Sequence, residues 1–260
     1  MGGWLLNLPV PWMALVIFLI TYLIAGSIGA VVSILAVNER AKGFKAVSPG
    51  ILPPLGILFA LLVGFIAIEV WANYDKAKAA VATEASALRA VVLLVGAFPD
   101  EQRMSIYALV NRHIDESVNK EWPEMVQQRM TLATLPTALI EALHETLALK
   151  PADDSQRAAQ PEMVKELHIA LDARRQRIVI SEASLGTVKW VGILLQALCT
   201  LVAFAIVHSD NRLARTIALT LCATGIALSV LLIAAYSRPS ASVGPESLKQ
   251  VIASEVPFGG

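Results

Sequence analysis

Leu52–Trp71 reads LPPLGILFALLVGFIAIEVW, with one charge, Glu69, and two prolines near its start. A run of about 20 apolar residues is what an α-helix needs to cross a bilayer. Proline is tolerated in a first helical turn, where backbone N–H groups have no partner. Pro53 and Pro54 therefore mark where the helix enters the membrane. Glu69 follows roughly 23 Å further along the axis, near the opposite interface, where a carboxylate reaches water. The span also carries two neighbouring rows. Gly56, Ala60 and Gly64 are small; Ile57, Leu61 and Phe65 are large. Small residues at every fourth position let helices approach closely in lipid. Several copies packed by their small rows would turn the large rows toward a common axis, forming an apolar constriction that gates by dewetting. A lipid-facing or bundle-packing stripe is the other arrangement this spacing allows.

Three more stretches are long and apolar enough to cross: Pro11 to Val37, Thr187 to Val207 and Ala214 to Tyr236. With the second span taken as 51–71, they predict an all-α integral membrane protein of two transmembrane hairpins. Residues 1–71 form the N-terminal hairpin and 187–236 the C-terminal one. Residues 72–186 form a helical extramembrane domain between them, and 237–260 a tail. The N-terminal MGGWLLNLP has no basic residue and the run after it is too long for a signal peptide. Composition agrees: 56% of residues are hydrophobic and 16% charged, against roughly 25% charged in soluble domains. Mean hydropathy is +0.62. Net charge is zero, so nucleic acid is not an expected partner.

The insert reads as helices. Ala77, Val81, Glu84, Leu88, Val91 and Val95 share one face at 3.6-residue spacing between Tyr74 and Ala97. Asp100 to Lys120 presents Met104, Tyr107, Val110, Ile114 and Val118, and a break is expected at Glu121-Trp122-Pro123. A shorter helix covers about Leu135 to Leu149. KPADDSQRAAQP is expected to be a mobile linker, and a last helix to run from about Pro161 into the third span. Glu84 is the anomaly, a carboxylate in the middle of an apolar face, which is costly to bury unless paired. Arg174 and Arg175 flank the apolar face of the last helix and are its expected ion-pair partners. The alternatives are a seam-edge position in contact with water and a catalytic role.

No phosphate-binding glycine loop, GxSxG or HExxH is present, and Glu84 alone does not make an enzyme. The four histidines have no second ligand at zinc spacing. Cys199 and Cys222 sit in apolar runs, where a thiol behaves as a small hydrophobe. No enzyme activity, metal or cofactor is expected.

The run FALLVGFIAIEVWANYDKAKAAVATEASALRAV resembles the bacterial bestrophin-like membrane proteins, number four thousand two hundred and thirty-nine in the series of domains of unknown function. ALDARRQRIVISEASLGTVKW and SRPSASVGPESLKQV also resemble that family, in the same order. The resemblance covers the chain from about Leu52 onward. It extends to the true bestrophins, pentameric anion channels whose second span lines the pore and carries an apolar neck before a Gly-Phe pair. Gly64-Phe65 resembles that pair, which implies a neck at Ile57, Leu61 and Phe65. Leu61 departs from the aromatic residue usual there, and no acidic run resembles the calcium clasp. The resemblance thus implies a homo-oligomer, a pentamer if it is a channel, passing a small anion such as chloride within the lipid bilayer. It also implies an inner-membrane location with the insert and both termini cytoplasmic. The basic short links, with Arg40, Lys42, Lys45, Arg212 and Arg215, argue the reverse orientation. The rival function is a non-conducting scaffold or sensor whose insert binds a protein.

Overall fold

The computed structural model describes residues 8–36, 44, 47, 49–127, 129–182 and 185–253. The end of the first span at Val37 and the link residues Arg40, Lys42 and Lys45 lie outside them. The secondary structure of the described residues is helix, with no strand. Among the described residues, four helices are long and apolar enough to cross a membrane. The protein divides into two compact units. One holds the chain up to Trp71 and Leu185–Ser237; the other holds Ala72–Ser184 and the chain from Arg238 onward.

The first unit contains α1 (Val10–Leu35), the start of α2 (Leu52–Leu94), α7 (Thr187–Val207) and α8 (Arg212–Tyr236). Helix α1 starts after Pro9 with Pro11 in its first turn. Helix α8 starts at Arg212 because the Asn211 side chain accepts a hydrogen bond from the Ala214 N–H at 3.0 Å. Helix α1 packs along α8 and α7. The helices approach closely at Gly29, where a Cβ would stand 3.1 Å from Leu219 Cδ1. Ala25, about one turn before Gly29, is also buried. Tyr22 and Thr224 share a hydrogen bond of 2.8 Å across the same pair. Ile17, Ile66, Val70, Ile193, Ala223 and Ile233 form the core. Leu15, Leu19, Leu23, Ile34, Val188 and Leu221 point outward and are exposed, an amount of apolar surface that calls for lipid or another chain to cover it.

Helix α2 does not stop at the membrane unit. ANYDKAKAA contains no breaker, and alanine and lysine are strong helix formers, so one helix continues to Leu94. It ends in a tight turn, Val95–Ala97, where Phe98 is extended ahead of Pro99. The second unit adds α3 (Asp100–Glu116), α4 (Trp122–Val126), α5 (Thr137–Ala148) and α6 (Asp154–Glu182). The α2 face expected from its spacing is buried at every position named. In α3 the buried stripe runs through Ile106, Leu109, Val110 and Ile114, and Met104 is exposed.

Three expectations are corrected. KPADDSQRAAQP is not a loose linker: α6 begins at Asp154, capped by Asp153, whose Oδ1 accepts from the Gln156 N–H at 2.9 Å. Pro161 lies inside that helix. The break at Glu121-Trp122-Pro123 is instead a π-helical turn, Ser117–Glu121, that runs directly into α4. The last insert helix also ends before the third span, because α6 stops at Glu182 and Leu185 and Gly186 are not helical. Two short helices, α9 (Pro239–Ser242) and α10 (Glu246–Ala253), follow the fourth span, and Leu248 and Val251 insert into the core of the second unit.

Candidate functional site

On the second span the two faces differ. Phe59, Leu62, Val63, Ile66 and Val70 pack into the membrane-unit core. Ile57, Leu61 and Phe65 lie on the other face and are 60%, 51% and 69% exposed. The small row is open too. A Cβ added at Gly56 or Gly64 would meet nothing within 4 Å, and Ala60 is exposed. The glycines therefore serve no close contact among the described residues. Two polar contacts hold the span. Gln196 Nε2 donates to the Leu55 carbonyl at 3.3 Å, and Lys189 pairs with Glu69. Both sides of that ion pair are nearly half exposed, as expected for a carboxylate at an interface.

The second unit holds a buried charge network. Glu84 is fully buried. Its Oε2 accepts from Arg177 Nε at 2.8 Å and its Oε1 from Arg177 Nη2 at 3.1 Å, a bidentate pair. Glu84 Oε1 also lies 2.9 Å from His113 Nε2. Arg177 Nη2 reaches Glu121 Oε2 at 2.9 Å and Ser117 Oγ at 3.3 Å. Its guanidinium stands 5.4 Å from the Trp122 ring centroid, a cation–π contact. Arg174 donates to Glu121 Oε1 from Nε at 2.8 Å and to the Thr134 carbonyl at 3.0 Å. Two carboxylates meet two guanidiniums, so the charges of these four groups balance.

Burial alone would raise the Glu84 pKa. The charges and hydrogen bonds of Arg177 and His113 outweigh it and bring the value down to about 2. Glu121 behaves alike: burial pushes up, while Arg174 and Arg177 pull it below the usual carboxylate value. Every oxygen that burial strips of water finds a donor, which is the condition under which a buried charge is tolerable. The π-helical turn creates part of this site. Pro123 has no N–H to give, and the wider turn, with the Trp122 N–H on the Ser117 carbonyl, carries the helix through to it. Ser117 and Glu121 both stay on the buried side.

A family model for the bestrophin-like domain matches residues 15–247. The chain belongs to the bestrophin-like family. No curated protein and no solved structure matches it. In this bestrophin-like chain the residues singled out by sequence separate into the two units. Ile57, Leu61, Phe65, Gly56, Ala60 and Gly64 lie on the outer side of the second span, and Glu84, Arg174 and Arg175 lie in the insert.

The expected pairing of Glu84 with Arg174 or Arg175 is corrected. Its partner is Arg177; Arg174 belongs to Glu121, and Arg175 is exposed. Sequence reasoning missed Arg177, Glu121, His113 and Ser117. Arg177 had a signal, since it stands three residues after Arg174 on the stripe that buries Leu167, Ala170 and Ser181. His113 also stands on the stripe of Val110 and Ile114.

Proposed function

We propose that this bestrophin-like protein assembles as a homo-oligomer, a pentamer, and conducts a small anion such as chloride along an axis lined by the second span. The Gly56, Ala60 and Gly64 row lets neighbouring copies come close, and Ile57, Leu61 and Phe65 form the apolar neck. Permeation past such a neck depends on its width and on how easily the ion sheds water. The observation that carries this reading is the asymmetry of the span: one face is packed, and the face with both rows is left open among the described residues. No catalytic step, cofactor or metal enters it. The insert and both termini face the cytoplasm of the inner membrane, and the balanced charge network fixes helices α2, α3 and α6 of the insert to one another.

The test is chloride flux from liposomes containing the purified protein, for the native chain and for Leu61→Ala. Truncating Leu61 widens the neck, and flux is expected to rise several-fold. A native protein that conducts with Leu61→Ala unchanged removes Leu61 from the constriction. A chain that stays single in native membranes, or whose second span is labelled along this face by acyl-chain probes, supports the non-conducting scaffold instead.

A further inference from the structure

Between α2 and α6 of the insert lies an open groove of about 570 Å³. Lys76 and Ala79 line it from α2, and Asp172, Arg175, Val179 and Ile180 from α6. Its cations differ from their neighbours. Arg174 and Arg177 are buried on carboxylates. Lys76 and Arg175 are exposed and make no hydrogen bond or ion pair among the described residues. The lining thus carries two uncommitted cations against one carboxylate, Asp172, over an apolar floor of Ala79, Val179 and Ile180. Val179 is half exposed there.

Chain distance fixes what can reach this groove. Lys76 comes five residues after Trp71, where the membrane unit ends, and Ile180 five residues before Leu185, where it resumes. Along the continuous helix α2, five residues rise roughly 8 Å. The headgroup layer on each side of the hydrocarbon core is about 5–8 Å deep. Trp71 and Tyr236, both exposed, stand where the chain leaves the membrane unit, and such aromatics settle at headgroup level.

We infer that the groove binds the headgroup of an anionic phospholipid. Lys76 and Arg175 hold its phosphate, Asp172 accepts from headgroup hydroxyls, and the apolar floor covers the glycerol end of the acyl chains. This site is independent of conduction and needs only the membrane location.

The test uses the full chain purified in detergent, with bound lipid counted by native mass spectrometry during titration with phosphatidylglycerol or phosphatidylcholine. The native protein retains phosphatidylglycerol in preference. Lys76→Gln with Arg175→Gln weakens that binding about thirtyfold, the worth of two basic residues at a membrane surface, and leaves phosphatidylcholine unchanged. Lys78→Gln, next to the groove but outside its lining, keeps the native affinity. Ala79→Phe, which fills the floor without changing charge, loses the lipid. The proposal is overturned if the double variant binds as the native chain does, or if Lys78→Gln loses as much. It is equally overturned if millimolar inorganic phosphate displaces the lipid completely, which marks a free-anion site. Loss of oligomer mass in the double variant with lipid binding retained also overturns it and makes the groove a contact between copies.

Discussion

At Glu84, an acid in an apolar stripe and a bidentate guanidinium 93 residues later in the chain explain each other. Neither is tolerable alone. Glu84→Gln leaves Arg177 with only Glu121 to balance it while Arg174 draws on the same carboxylate, and breaking a buried pair on one side costs about 3–5 kcal/mol. Denaturation followed by near-ultraviolet circular dichroism, with Trp122 against Arg177 as reporter, is expected to show that loss. Glu84→Gln combined with Arg177→Met is expected to cost less than the sum of the two single changes, the mark of direct coupling. Acid acts on the same bond. Glu84 titrates near 2 in the folded protein against an ordinary 4.5, and Glu121 is also lowered. A depressed carboxylate contributes its full stability above the unfolded value and loses it as pH falls toward the folded one. Insert stability should therefore hold down to about pH 4.5 and decline between 4.5 and 2, and Glu84→Gln should flatten that decline. A decline of equal slope in the variant places the acid sensitivity elsewhere.

At the level of the helix, periodicity gave the spans and the α2 face, because lipid and an apolar core impose an unbroken pattern on residues such as Val81, Leu88 and Val95. It failed where a local device replaced the expected stop. Pro123 reads as a break, but a π-helical turn carries the chain through, and Glu121 thereby enters the core instead of a loop. Asp153-Asp154 reads as solvated linker, but Asp153 caps a helix. The ion-pair partner was missed by one helical turn, because Arg174, Arg175 and Arg177 are alike in type and only burial tells them apart. The pattern also leaves open which neighbour the small row of α2 serves. Gly64→Leu answers that. The added side chain meets open space within the chain, and replacing glycine in a helix gains about 0.8–1 kcal/mol of propensity. The single chain should be as stable as before. If the row packs copies together, the variant should elute as a smaller species in size-exclusion chromatography with light scattering; an unchanged mass puts the row against lipid.

For the whole molecule, charge and kinship pull in opposite directions. The short link between the last two spans carries Arg212 and Arg215, and basic short links favour the cytoplasmic side. Arg215 is buried and donates to Ser33 Oγ on α1, so it also has work within the folded bundle. On the insert side, Lys76, Lys78 and Arg175 remain exposed, but they belong to a long segment, and long segments weigh little in that rule. The function proposed above places the insert inside. Asp154→Cys, in a chain with Cys199 and Cys222 replaced by alanine, decides between them. Its side chain is 97% exposed and, unlike Asp153, caps nothing. A membrane-impermeant maleimide should leave it unmodified in intact cells and label it after lysis. Labelling in intact cells reverses the orientation. It would also place the Lys76–Arg175 groove on the outer leaflet, where a different set of anionic lipids would have to fill it.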